Sequence, residues 1–330
     1  MFFFPYRADI KLHRWPLLTL LLVVSCLSIF ILQLSNQFNM ERATRAFCED
    51  KQPRSFRLAA SAVFGSASPR RCIEILFGMH TARNREAFVE KKITNARTLA
   101  GFDAEASAAY LNRVFSENYR RFAITVPPYL TQSLWYYPDS WNVLRMLTAA
   151  MAHSSWAHVL GNLVFLFAFA ATLEMLLGGL VYALVLVALA ILSHSVYSVA
   201  MFAVNDALPT IGLSGVVYGV MGLFTFFLPT TKIRCFAWLA VFFKRFSVPA
   251  WTLFGGFVGV DVYHLFSQQD ASTINFAAHV GGAAFGYLIG VVFLRKKRAQ
   301  VRAILAEDGV NGTEESAESG HWSNNKKRKW

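Results

Sequence analysis

Apolar residues gather along this chain into runs of membrane-spanning length, at about residues 15–34, 156–177, 180–204, 212–228, 249–267 and 277–294. A helix rises about 1.5 Å per residue and hydrocarbon is roughly 30 Å thick, so each run predicts one crossing and the chain predicts six. The first run has about 20 residues, and no convincing small-x-small site ends it, so it reads as a retained helix and not a cleaved signal peptide. Residues 35–140 then form one large non-membrane insertion. Within it Leu111, Val114, Phe115, Asn118 and Phe122 repeat at i, i+3/i+4, the period of an amphipathic helix, and Pro127-Pro128 ends that run. Residues 229–248 mix basic and aromatic residues between Pro229 and Pro249. Lys244-Arg245 is costly in mid-bilayer, so this stretch reads as a helix lying at the interface. From Ala299 onward the chain is polar and is expected to be disordered.

The pattern defines an all-α polytopic membrane protein in five segments. These are an N-terminal segment (1–14), a first transmembrane helix (15–34), a helical insertion (35–140), a core of five further helices (141–298) and a tail (299–330). Composition agrees: 55% of the 330 residues are hydrophobic and 16% charged, against about 25% charged in soluble domains.

A net charge of +12 invites a nucleic-acid reading. The basic residues have a simpler explanation. Arg7, Lys11 and Arg14 precede the first span, Lys232 and Arg234 lie between the fourth and fifth, and Arg295-Lys296-Lys297-Arg298 follows the sixth. With six spans these places share one side, which short basic loops mark as cytoplasmic. Both termini are then cytoplasmic, the insertion and the tops of alternate helices face outward, and the arrangement suits a bacterial inner (plasma) membrane. The partner is the lipid bilayer, not nucleic acid. Four cysteines are too few for a disulfide scaffold. Cys48 and Cys72 share the extracytoplasmic segment, where an oxidising compartment permits a bridge, although two ordinary buried thiols are the alternative. The sequon Asn311-Gly312-Thr313 falls on the cytoplasmic side and is discounted.

Three polar signatures interrupt the apolar helices, each near a helix start: His153–Asn162 (HSSWAHVLGN), Gly212–Gly219 (GLSGVVYG) and Ala278–Gly286 (AHVGGAAFG). Hydrogen-bonding side chains are expensive in hydrocarbon, which makes such clusters candidates for function. Serine, histidine, asparagine and glycine are also the components of acyl-transfer chemistry. The signatures lie on the second, fourth and sixth spans. Alternate helices run in the same direction, so the three starts reach one membrane face. His158 and Asn162 are i, i+4 neighbours on one helix side. Gly282, Gly286 and Gly290 form a stripe that permits close approach of Gly215, Gly219 and Gly222, bringing His279 toward Ser214. From Gly212 to Phe227 is only ~24 Å of helix, so Ser214 is expected below the surface in a cavity that admits water. Each element alone has a plainer reading. A glycine stripe is commonly packing, G-x-S-G arises by chance, and one intramembrane histidine serves a proton relay or a metal.

Taken together the signatures resemble those of the rhomboid intramembrane serine proteases. That family pairs H-x4-H-x3-N, G-x-S-G and A-H-x2-G-x3-G, which stand here as His153/His158/Asn162, Gly212/Ser214/Gly215 and Ala278/His279/Gly282/Gly286. The resemblance covers about 135–298 well and 1–34 loosely. It implies a six-transmembrane-helix bundle and a serine endopeptidase acting on transmembrane protein substrates, without cofactor or metal. It further implies Ser214 as nucleophile, His279 as general base, His158, Asn162 and the Ser214 backbone N–H as oxyanion donors, Tyr218 packed on the His279 ring, and His153 as a structural hydrogen-bonder. One departure concerns a Trp-Arg pair often found eight residues before the first histidine. Here Arg145 holds the Arg position and Leu144 replaces the Trp, with Trp141 one turn away.

Spacing sets no acidic residue beside His279, so ring stacking by Tyr218 is the expected means of orienting it. Asp261 and His264, i, i+3 neighbours near one face of the fifth span, have two readings, cavity lining or, preferred, surface and packing, and are assigned no role, while Glu174 reads as an interfacial anchor. Three other functions compete. A metalloprotease using His153, His158 and His279 wants HExxH, which is absent. A transporter with intramembrane histidines predicts internal symmetry, and none is evident. An inactive rhomboid-like binder is disfavoured by the presence of both Ser214 and His279.

Overall fold

Continuous apolar sequence without Gly or Pro makes long helices, and α1 (Leu17–Glu49) is the clearest case, running 33 residues. The computed structural model describes residues 2–10, 13–204, 207–239, 242–267 and 274–303. After β1 (Phe2–Ala8) and α1 come α2 (Arg54–Phe64), α3 (Pro69–Thr81), α4 (Arg85–Ile93), α5 (Ala104–Thr125), α6 (Leu130–Leu134) and α7 (Val143–Met151). They are followed by α8 (Trp156–Leu177), α9 (Gly179–Ala200), α10 (Ser214–Phe227), β2 (Lys232–Leu239), β3 (Phe242–Pro249), α11 (Ala250–Phe266) and α12 (Phe276–Phe293). The chain divides into two units, one of residues 26–135 and one of residues 1–25 with 136–330.

In the first unit, α1 does not stop at residue 34 as the hydropathy break suggests; no helix breaker occurs before Pro53, and the helix continues to Glu49. The helices that follow have readable ends. Asn84 and Asp103 cap α4 and α5 by accepting from the N–H groups of Ala87 (3.0 Å) and Ala106 (2.7 Å), and α5 ends directly before Val126-Pro127-Pro128. Leu111, Val114, Phe115, Asn118 and Phe122 all fall on the buried face of α5. The four apolar ones pack with Met40, Phe56, Ile75 and Leu76 in one apolar core. A disulfide joins Cys48 of α1 to Cys72 of α3, with Cα atoms 5.7 Å apart. On the surface, the Lys92 ammonium, with Arg71 assisting, holds the Glu74 carboxyl below the usual carboxylate range.

The second unit carries a three-stranded antiparallel sheet, β1-β2-β3. This corrects both the all-α class and the interfacial helix expected at 229–248; the chain is mostly helical with a small sheet. The cause is local. Lys232, Ile233, Arg234 and Cys235 alternate, with Ile233 and Cys235 fully buried and the basic residues exposed, a period of two that belongs to a strand. An ion pair from Arg234 to Asp9 (2.7 Å) flanks the β1 pairing. Among the described residues four helices, α1, α8, α9 and α12, are long and apolar enough to cross a membrane, while α10 has 14 residues and α11 has 17. The third apolar run stops as helix at Ala200 instead of residue 204.

Glu174 of α8 is no interfacial anchor. It is buried, and its carboxylate accepts from the backbone N–H groups of Leu18 (2.9 Å) and Thr19 (2.8 Å) and from the Thr19 hydroxyl (2.8 Å). It therefore satisfies the free donors at the start of α1. Helices α10 and α12 meet backbone to backbone. A methyl at Gly282 or Gly286 would overlap the carbonyl oxygen of Gly215 or Gly219 respectively, so only glycine allows this approach. Residues 295–303 are helical, so order extends past Ala299. The rest of the expected disordered tail, with Asn311, lies outside the described residues.

Candidate active site

The starts of α8, α10 and α12 are fixed by short polar contacts. Ser155 caps α8, accepting from the N–H of His158 (3.2 Å). Asn275 caps α12 through the N–H of Ala278 (2.9 Å), and its amide donates to Thr210 Oγ1 (3.1 Å). Thr210 forms a β-bridge with Tyr136, and Gly212 N–H donates to Ala149 of α7 (2.8 Å). The loop before α10 is thus tied to α7 and α12 at once. Gly212 has φ +123°, a backbone region that favours glycine, and a methyl there would strike the His158 imidazole.

Ser214 is the first residue of α10, directly after the N-cap Leu213. Its Oγ lies 2.7 Å from His279 Nε2. His279 sits one turn into α12, where its backbone N–H bonds the Asn275 carbonyl (3.2 Å). The Tyr218 ring stacks on the imidazole with centroids 4.4 Å apart and planes at 14°. Phe276 meets the same ring edge-on at 6.4 Å. The other imidazole nitrogen, Nδ1, lies 2.7 Å from Asp261 Oδ2. Asp261 and His279 are buried, 6% and 8% exposed. The expectation of no acidic neighbour is therefore corrected. Asp261 faces His279 because α11 packs beside α12, a tertiary fact that spacing does not encode. Its partner in the sequence reading, His264, instead stacks on Phe276 at 5.0 Å.

On α8, His158 and Asn162 point toward the Gly212 loop, His158 being the nearer. Asn162 Nδ2 is buried and has no hydrogen-bond partner. A buried donor without an acceptor costs about 1–3 kcal/mol, and such groups in a folded protein call for a functional account. His158 Nδ1 lies 3.1 Å from Ser154 Oγ. With that hydroxyl donating to Nδ1, the ring proton sits on Nε2, the nitrogen facing Gly212. His153 is buried against the His158 ring, edge to face at 5.1 Å, and stands behind the site and not in it. Nε2 of His158 and Nδ2 of Asn162 thus lie against Gly212, two residues before Ser214, where the first N–H groups of α10 and the positive end of its dipole also point. Such an arrangement can activate a hydroxyl and stabilise an oxyanion.

Of the residues singled out from sequence, Ser214, His279, Tyr218, His158, Asn162 and Gly212 come together, Gly215, Gly282 and Gly286 set the helix contact, and Cys48–Cys72 belongs to the other unit. Four residues went unassigned: Asp261, Ser154, Asn275 and Thr210. A lone carboxylate on an otherwise apolar helix was the available signal for Asp261, and the Asn at the start of α12 was legible as a cap. A family model for the rhomboid domain matches residues 140–296. No curated protein and no solved structure matches the chain.

Proposed function

From the match of residues 140–296 to the rhomboid-domain model we propose that the chain is a member of that family and an intramembrane serine endopeptidase in which Ser214 is the nucleophile and His279 its general base. The observation that carries this reading is the 2.7 Å approach of Ser214 Oγ to His279 Nε2. His279 Nε2 takes the hydroxyl proton as Oγ attacks the scissile carbonyl carbon. The carbonyl electron pair moves to oxygen, and His158 Nε2–H, Asn162 Nδ2–H and the Ser214 backbone N–H receive that charge. Collapse breaks the C–N bond, and the imidazolium passes its proton to the leaving amine. Water then enters, loses a proton to His279 and hydrolyses the acyl-serine, which restores the Ser214 hydroxyl.

The substrates are transmembrane proteins cut near the outer boundary of their spans, and six helices cross the bilayer, with α10 and α11 as the short fourth and fifth. The sheet supports this orientation. Strands β1 and β2 pair, so they lie on one side of the membrane and an even number of crossings separates them; α1, α8, α9 and α10 make four. Basic residues at Arg7, Lys232, Arg234 and 295–298 mark that side as cytoplasmic. The starts of α8, α10 and α12 then face outward.

The test is cleavage of a single-pass substrate by purified protein in liposomes. Wild type is expected to cleave, while Ser214→Ala and His279→Ala each lose at least about 1,000-fold in rate with unchanged melting, because nucleophile and base act as one unit. Full activity in either variant ends the serine-protease reading. A wild type without activity on any span favours a non-proteolytic binder.

A further inference from the structure

We propose that Asp261 is a positioning residue that completes a Ser214–His279–Asp261 group, holding the His279 imidazole with its proton on Nδ1 so that Nε2 is free to accept from Ser214. The proposal rests on the protease reading above and adds to it a role that the Ser–His pair alone does not contain.

Three observations converge. First, Asp261 is the single acidic residue of α11 and is buried, in a helix that otherwise reads as a hydrophobic membrane segment. A carboxylate in such a place is retained only with partners that compensate its burial. Its partner is the His279 ring of the site, through Nδ1 at 2.7 Å. Second, the hydrogen-bond directions are forced. A carboxylate only accepts, so His279 Nδ1 carries the proton and donates, and the neutral imidazole has its lone pair on Nε2, 2.7 Å from the Ser214 hydroxyl. Stacking by Tyr218 fixes the plane of the ring but is indifferent to which nitrogen is protonated. Asp261 supplies that missing choice. Third, when Nε2 takes the serine proton, the resulting imidazolium lies between Oγ and the buried Asp261 carboxylate, which offsets its charge. Asp261 stays a carboxylate throughout, and each proton that moves, from Oγ to the leaving amine and later from water back to Oγ, passes through Nε2. The groups occur in the chain order Ser, Asp, His, on the starts of α10 and α12 and the late turns of α11.

Two measurements test this. In cleavage assays in liposomes, Asp261→Asn is expected to lower kcat by roughly 100- to 10,000-fold while KM stays within about 3-fold, since a side-chain amide no longer dictates the tautomer. Asp261→Glu, which keeps the carboxylate, is expected to recover part of that loss. A purely structural role predicts instead that both variants fall with melting temperature. In 15N-histidine-labelled wild type, with the His279 signal assigned by its disappearance in His279→Gln, the ring shifts are expected to report Nδ1–H and an unprotonated Nε2. A wild-type His279 protonated on Nε2 overturns the proposal, even if the Asp261 variants do not fold. So does an Asp261→Asn enzyme with wild-type kcat. If Ser214→Ala is inactive and Asp261→Asn is not impaired, only the role of Asp261 falls; if Ser214→Ala cleaves normally, the protease reading falls as well.

Discussion

Asn162 shows how much a single side chain reveals once its surroundings are known. Its Nδ2 is buried without an acceptor, an arrangement that stability alone does not favour. An oxyanion appearing at Ser214 would be that acceptor, and it exists only in the transition state and the tetrahedral intermediate. We therefore expect Asn162→Ala to slow turnover by about 10- to 1,000-fold with KM nearly unchanged, in line with ~2.7–4 kcal/mol for an oxyanion donor at the upper end. A variant that loses substrate affinity and keeps turnover would make Asn162 a scaffold residue. Much at this scale was legible in sequence, because Ser214 with Tyr218, and His158 with Asn162, sit within one helical turn of each other. What escaped was Asp261. Its neighbour His279 comes from another helix, and i, i+3 spacing drew attention to His264, whose ring belongs to Phe276.

For the helices, the governing contact is that of α10 with α12. The carbonyl oxygens of Gly215 and Gly219 occupy the space where side chains at Gly282 and Gly286 would begin. Backbone atoms cannot rotate away, so a larger residue must push the helices apart, and Ser214 and His279 ride on them. Gly286→Ala is expected to destabilise by about 1–3 kcal/mol and to reduce cleavage. Gly255→Ala on α11, where a methyl meets open space, is expected to stay within ~0.5 kcal/mol; melting curves in detergent compare the two. The glycine stripe announced this contact because its spacing is helical. The β2–β3 hairpin did not announce itself. Its aromatic and basic residues suit an interfacial helix as well as a strand by composition, and the deciding partner, β1, lies more than two hundred residues earlier in the chain.

At the level of the whole protein, the apolar runs gave the order of the long helices, and α1 runs on past residue 34 because hydropathy falls midway along it while helix formation does not. In the proposed orientation, a serine at the outward start of a short helix reaches only peptide bonds that have left their own helix. Substrate spans are then expected to unwind near their outer ends, and each Gly or Pro there lowers that cost by about 1–3 kcal/mol. Replacing such a residue by Leu in a test substrate is expected to slow cleavage by roughly 5- to 150-fold. Indifference to the change, or a cut at the cytoplasmic end, would invalidate the proposed orientation.

The sheet also imposes a timetable. Phe4 pairs with Phe236, and at about 5–20 residues per second a ribosome needs on the order of 10–50 s to make the chain between them. For that interval β1 has unpaired backbone groups while α1 to α10 are being made, and β2 closes onto it only afterwards. Because β2 continues through β3 into α11, the helix that bears Asp261 is anchored to one of the earliest parts of the chain, and the site is assembled late, once synthesis has joined the two.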